Sequence, residues 1–393
     1  MKLTFINPII FIVFITLSYS CRNYSTDLPV IDASKSYPEK EIFLDDIANV
    51  SYVSMRSDDN YLYSGYLNSV SKNTIVIVDN RAGDIFLFSR NGEPKSRFNN
   101  TGRGPGEYLF VAKVLYDENT DEIFLTDYYN PRSIKVYSSL GMFKRELFLP
   151  EGIILTNHIE LFDDHSLFFF DEQIGVKESI RINQGDLSED DYLEPYYLIS
   201  KDDGEVLDYF ELPVRPSLGF VNNNSGFWVP ALSRPLVKST EGVFICNPQN
   251  DTVFLYDKNR RLTPVLSKKP KAKSMNPMVY LDNCIELGQY QFIDLGIIRP
   301  EDTPAFTRES YMRDKKSGEI FRQKLRLQEY EDKEFFISTF RFLRHLYSNG
   351  CWFELELLEL KEAYLNNKLS GKLKELVATL DEDDNNVFVF VDF

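Results

Sequence analysis

The chain has 393 residues and a formal net charge of -16, from 44 Lys and Arg against 60 Asp and Glu. That field repels phosphate backbones at long range and excludes nucleic acid as a partner of the whole molecule. A hydrophobic content of 43 % excludes global disorder, and 3 His with 4 Cys leave little for a zinc site, so neither metal nor cofactor is expected.

The first 20 residues read as an address. Lys2 precedes an apolar run over residues 9–17, broken only by Thr16, and Ser18, Tyr19, Ser20 and Cys21 follow. A spanning helix needs about 20 apolar residues. This run is shorter, so residues 1–20 read as a secretory signal peptide. Ser20 before Cys21 resembles the lipobox of bacterial lipoproteins, although Leu17 sits one place further upstream than usual. The resemblance implies cleavage before Cys21 and lipid on its sulfur and amine. The alternative is an ordinary signal peptide with an incidental Cys. Residues 21–40 then form the lipidated Cys and a polar tether, and 41–393 the folded body. Cys246, Cys284 and Cys351 leave at least one thiol unpaired. Cys246 and Cys351 sit in apolar runs, as small buried hydrophobes do.

The body repeats. Ile-Val-Ile-Val-Asp over 75–79 is followed by Ile-Phe-Leu-Phe over 85–88 and a turn at Asn91-Gly92. The unit returns over 123–127 and 134–137 with Leu140-Gly141, and over 243–247 and 253–256 with Lys258-Asn259. Weaker copies run over 167–171 and 197–204. Short β-branched and aromatic strands bounded by Gly, Asn and Asp read as antiparallel β. Asp79 and Asp127 lie 48 residues apart, the period of a β-propeller blade. The apolar strand over 75–78 is expected near the axis, covered on both faces by neighbouring blades. Asp79, Asp127 and Asn247 end their strands, where such side chains bond local N–H groups. The 31 Phe and 23 Tyr suit the wedges between blades.

Further along, residues 176–195 read as an insertion that contains the acidic run over 188–191. Ser317-Gly318 turns a hairpin. Leu357, Leu358, Leu360 and Ala363 predict one helix, and Leu373, Leu376, Val377 and Leu380 a second with Ser370 as N-cap. The run over 387–391 is a strand. It is expected to share a blade with a strand from residues 42–55 and so close the ring.

The segment from Gly102 to Tyr137 carries Gly102-Arg103-Gly104-Pro105-Gly106-Glu107, then the strands over 114–117 and 123–127, Arg132, and the strand over 134–137. It resembles an NHL-type propeller repeat. More closely, with residues 42–55, 370–376 and 381–393, it resembles the six-bladed β-propeller lipoproteins abundant in Bacteroidetes. The resemblance covers the whole mature chain. It implies an all-β, six-bladed β-propeller with short C-terminal helices and a ring-closing terminal strand, on an envelope lipoprotein. It implies no reaction. Surface-exposed members of that phylum often carry acidic residues just after the lipidated Cys. Only Asp27 lies near Cys21, so the side of the envelope stays open.

Candidate sites follow. The 102–107 loop lacks the Lys-Ser/Thr of a phosphate loop, and Glu107 would repel phosphate. It reads as a Gly-pinned crossing between blades, with Arg103 and Glu107 paired across it or Arg103 at the channel mouth. Arg103, Glu107 and Arg132 are the candidate binding residues, and Cys21 is the lipidation site. Asp186, Glu189, Asp190 and Asp191, and Asp381 to Asp384, lack the Asp-x-Asp-x-Asp-Gly spacing of a calcium loop. The basic residues Lys258, Arg260, Arg261, Lys268, Lys269, Lys271 and Lys273 lack interleaved aromatics for base stacking. His158, His165 and His345 form no catalytic spacing.

Two functions compete. One is a monomeric binding or scaffold module, held to the membrane by its N-terminal lipid, with a glycan, peptide or envelope-protein partner. The other is an axial-site enzyme, a calcium-dependent lactonase-like hydrolase or glycan lyase. The second needs carboxylates from several blades to converge at the axis.

Overall fold

The structure is a computed structural model that describes residues 28–150, 153, 158–170, 192–213, 219–221, 228–230, 236–248, 250–302, 304–337, 346–347 and 349–393. The chain opens with three strands, β1 (Val30–Asp32), β2 (Glu39–Phe43) and β3 (Asn49–Ser54). Six blades follow. Blade I is β4 (Tyr66–Val70), β5 (Thr74–Asp79), β6 (Asp84–Ser89) and β7 (Pro94–Phe98). Blade II is β8 (Val111–Asp117), β9 (Glu122–Asp127), β10 (Asn130–Tyr137) and β11 (Phe143–Phe148). Blade III is β12 (Ile159–Leu161), β13 (Ser166–Phe170), β14 (Tyr192–Ser200) and β15 (Val206–Pro213). A hairpin of β16 (Gly219–Val221) and β17 (Trp228–Pro230) precedes blade IV.

Blade IV is β18 (Leu236–Lys238), β19 (Gly242–Ile245), β20 (Thr252–Asp257) and β21 (Leu262–Lys269), with β1 added in parallel on β21. Blade V is β22 (Met278–Leu287), β23 (Tyr290–Ile298), β24 (Phe306–Asp314) and β25 (Ile320–Leu327). On β25 lie β2 in parallel and β26 (Tyr330–Phe335). Blade VI is β27 (Leu346–Tyr347), β28 (Gly350–Leu355), β29 (Val387–Asp392) and β3. Helices α1 (Leu357–Leu365) and α2 (Gly371–Thr379) lie between β28 and β29. The ring closes as the sequence predicts: β29 pairs antiparallel with β28 on one side and with β3 on the other.

The blades pack through alternate residues. On β5, Ile75 and Ile77 meet Trp352, Phe388 and Phe390 of blade VI. Val76 and Val78 on the other face meet Val114, Ile123 and Tyr137 of blade II. A strand covered on both faces therefore reads as one apolar run. That run is the second strand of its blade, not the axial one as expected. The axial strand is β4, only half-buried, because its inner edge borders the channel. In blade I burial, and with it the apolar pattern, belongs to the middle of the sheet.

Three further expectations change. Strand pairing starts at Val30, inside the segment read as tether, so the N-terminus runs along the outside of blades IV and V. The insertion read over 176–195 ends before Tyr192, where β14 begins; residues 171–191 lie outside the described residues, as do residues 1–27 with Cys21, and His345. Ser370 holds the N-cap position of α2 without a capping side-chain bond, and Glu329 Oε2 accepts the Leu373 N–H at 2.7 Å in its place. Cys246, Cys284 and Cys351 are all buried, and among the described residues none of them is in a disulfide. No helix among the described residues is long and apolar enough to cross a membrane.

Candidate binding site

The first strands of five blades, β4, β8, β12, β18 and β27, stand side by side around the axis. They run the same way, so first-to-second and third-to-fourth turns gather at one end of the ring. Second-to-third turns and blade-to-blade crossings gather at the other. We call these the turn end and the crossing end.

At the turn end a cavity of about 280 Å³ sits on the axis. Five blades line it: Asn68 to Lys72 from blade I, Lys113 and 115–119 from II, Glu160 and Leu161 from III, Leu236 to Lys238 from IV, Leu346 and Tyr347 from VI. The innermost strands are shaped by bulges. The register slips at Asn68 in β4 and at Ala112 in β8, each leaving one extra residue on the inner strand. Asn68 Oδ1 and Ser69 Oγ then accept the Val114 and Tyr116 N–H groups of β8, both at 3.3 Å. The inner-edge donors, which have no partner strand, are satisfied across the blade boundary.

Most polar groups of the lining are already engaged. Asp117 Oδ2 meets Lys201 Nζ at 2.7 Å, with both side chains under a tenth exposed. Glu118 accepts the Thr74 hydroxyl at 2.9 Å and the Asn73 N–H at 3.1 Å. Asn119 donates to Asp164 at 3.3 Å, and Lys238 donates to the Phe162 carbonyl at 2.7 Å. These bonds stitch blade I to II, II to III, and III to IV. Burial pushes the Lys238 ammonium down to about 8, with Glu160 opposing the shift. Lys72 is exposed at the rim. The wall between these groups is aliphatic, with Val70, Leu115, Leu161, Leu236 and Val237.

The residues that the sequence singled out lie elsewhere. Residues 102–107 lie in the crossing from blade I to blade II, and Arg132 is the third residue of β10, beside the second-to-third turn, so Arg103, Glu107 and Arg132 all occupy the crossing end. None of them lines the cavity. Glu107 turns into its own loop, where its carboxylate accepts the Gly104 N–H at 2.6 Å. A Cβ at Gly102 would come within 1.9 Å of that carboxylate. Gly106 has φ +75°, and a Cβ there would meet the Phe143 ring at 2.6 Å, while its carbonyl accepts the Tyr137 hydroxyl at 2.8 Å. The motif is a carboxylate-stapled crossing, and this internal staple replaces the expected Arg103–Glu107 pairing. Arg103 and Arg132 are exposed.

The strand-ending acids act as turn formers. Asp79 accepts the Arg81 and Ala82 N–H groups at 2.9 and 3.0 Å. Asp127 accepts those of Leu109, Phe110 and Tyr129 at 2.8, 3.2 and 3.0 Å. Asp384 caps its own turn by accepting the Asp381 N–H at 2.8 Å. The basic stretch is partly neutralised, with Arg261 on Asp257 and Lys268 on Asp251. Sequence reading missed Lys72, Lys113, Glu160 and Lys238. The available signal was weak: a charged residue within, or just after, the strand that precedes each apolar run.

Fold and cavity together define a six-bladed β-propeller with an axial seat at one end. By sequence the chain belongs to the DUF4934 family, a domain of unknown function, which matches residues 28–392. No curated protein matches it. Among solved structures it is similar to a "Putative exported protein" from Bacteroides fragilis, at 17 % identity and TM-score 0.60, covering 93 % of this chain and 99 % of that one. It is also similar to a member of the DUF4221 family from Bacteroides vulgatus, at 13 % identity and TM-score 0.47, covering 88 % and 96 %. Virginiamycin B lyase from Staphylococcus aureus follows at 10 % identity and TM-score 0.32, covering 69 % and 97 %.

Proposed function

We propose that the chain is a lipid-anchored binding module of the bacterial cell envelope, tethered through Cys21. Its ligand is a carboxylate-bearing residue of a glycan or peptide, seated in the axial cavity. The observation that carries this reading is the distribution of charge in the lining. Asp117 is matched by Lys201, and Glu118 is bonded to the neighbouring turn. Glu160 stands near Lys238 and Lys113 adds a third lysine, while exposed Lys72 and half-buried Lys238 present ammonium groups above an aliphatic wall. At about 280 Å³ the cavity falls near the lower end of ligand pockets, which begin at about 300 Å³. The signal-like residues 1–20 and the name of the Bacteroides fragilis structure support export.

The axial-enzyme reading gains less support. It needs several free carboxylates at the axis, and here Asp117 and Glu118 are held by the chain's own donors. Among the described residues no three His, Cys, Asp or Glu side chains group as metal ligands do.

The test is calorimetric titration of the mature protein with digalacturonate and, in a second arm, with an Ala-Glu dipeptide. Binding of either one, weakened at least tenfold in Lys72→Ala or Lys238→Met, supports the seat, and the arm that binds names the source. Binding of neither overturns it. The anchor is tested separately by incorporation of labelled palmitate, which Cys21→Ser abolishes if the anchor is lipid.

A further inference from the structure

The crossing end carries a second surface. Tyr128 and Tyr129 form the turn between β9 and β10, and each is more than two-thirds exposed. Phe110, from the crossing into β8, stands beside them at 40 % exposure. The three rings lie nearly perpendicular to one another, with centroids 5.6 to 6.5 Å apart. They are held in place from below. Asp127 accepts the N–H groups of Phe110 and Tyr129, and Tyr128 N–H bonds the Phe110 carbonyl at 2.9 Å. The backbone that carries the rings is fixed before any ligand arrives, which lowers the ordering cost of binding.

The fold does not require these rings. Blade I anchors its corresponding turn, four residues long rather than two, on Asp79, whose carboxylate accepts Arg81, Ala82 and, at 3.4 Å, Ser64 N–H groups. There the turn reads Asn80, Arg81, Ala82, Gly83, and the crossing residues are Ser64 and Gly65. In both blades a strand-ending carboxylate pins the turn and the incoming crossing, and blade I does so without any ring, so the aromatics of blade II exceed what the anchoring needs.

We propose that Phe110, Tyr128 and Tyr129 form a stacking platform for a neutral pyranose ring of a glycan. A pyranose presents polarised C–H groups on its face, which suit the electron-rich face of an aromatic ring, and its hydroxyls can bond the phenol tips. Size speaks against a protein partner. A stable protein interface buries about 800 Å² per partner. Partly exposed rings, at about 150–250 Å² for a whole buried aromatic, offer roughly half of that. A quaternary ammonium is disfavoured because the rings touch each other and leave no box around a cation. The platform rests on the reading of the chain as a binding module but not on the axial cavity, none of whose lining residues is Phe110, Tyr128 or Tyr129.

Calorimetric titration with cellohexaose, laminarihexaose, maltohexaose and chitohexaose tests it. At least one should bind, and Tyr128→Ala and Tyr129→Ala should each weaken that binding about tenfold while the melting temperature stays within about 2 °C, since both rings are exposed. Lys72→Ala and Lys238→Met should leave it unchanged. No binding by any of the four sugars overturns the platform. So does binding that survives both tyrosine substitutions, and so does binding lost only in the lysine variants, an outcome that assigns the sugar to the cavity.

Discussion

The two ends of the ring are built from the same four-strand unit, yet they solve different problems. At the turn end, blades are stitched by side chains that cross the boundary, such as Lys201 to Asp117 and Lys238 to the Phe162 carbonyl. Polarity there is buried and paired, and a small cavity survives between the inner strands. At the crossing end, each blade mostly pins its own loops, with Asp79 and Asp127 collecting nearby N–H groups and Glu107 stapling residues 102–107. The surface outside those pins is then free to vary, and blade II fills it with exposed rings. A repeated scaffold can thus separate its stability from its recognition, and here the separation runs along the axis.

Substitutions at the two ends sharpen this contrast. Lys201→Met leaves Asp117 buried and unpaired, and should cost about 3–5 kcal/mol of stability, read from urea unfolding. Asp127→Ala removes one acceptor shared by three N–H groups and should cost about 2–3 kcal/mol, with loss of the ordered ring cluster. If Asp127→Ala proved the more damaging, the assignment of inter-blade stability to the turn end would fail. Gly106→Ala forces a side chain into positive φ against the Phe143 ring, for a loss of about 2 kcal/mol by the same measurement.

The pH dependence discriminates further. Lys238 titrates at about 8 in the folded chain against an ordinary value of 10.5. Between those values the unfolded chain binds the extra proton, so this lysine makes stability rise with pH over that window. Its effect on ligands has the opposite sense. A carboxylate in the cavity should bind less tightly as pH climbs through about 8, and Lys238→Met should flatten that profile. Platform binding should show no such step. The smallest effect is expected at the residues most visible in the sequence. Arg103→Ala and Arg132→Ala should change stability by under about 0.5 kcal/mol, as exposed side chains do, and should not alter carboxylate affinity.

What the sequence revealed follows from where burial lies. Residues 75–78, 85–88 and 123–125 are covered on both faces, so hydrophobicity announced them and their spacing marked the blade repeat. Among the inner strands β4 is half-buried, β12 and β18 have three residues each, and β4 and β8 are bulged at Asn68 and Ala112, so no period marks them. Since the cavity is lined by those strands, it was illegible for the same reason. Its lysines come from positions as far apart as 72 and 238, and only the closed ring brings them together. Residues 102–107 stood out because glycines concentrate where backbone is constrained, and that prominence reported loop geometry. The helix cap shows the same limit: Ser370 marked the position, while the bond comes from Glu329, in the turn after β25. Val30–Asp32 and Glu39–Phe43 were hidden because a parallel outer strand needs only backbone pairing and little apolar surface.

Ring closure also sets the order of events in biogenesis. β29 is the inner partner of both β28 and β3, and its register joins Val387 to Ser54 and Asp392 to Asn49. A strand made near the start of synthesis must wait for one made at the end, a contact of very high sequence separation and therefore slow to form. Until residue 392 emerges, β3 and β28 present unpaired backbone edges that invite pairing with other chains. A chain threaded through an export channel from its N-terminus would cross while still open and lock only after release. The same geometry means that a synthetic peptide copying residues 387–392 could compete for β3 during refolding, and so arrest the molecule as an unclosed arc.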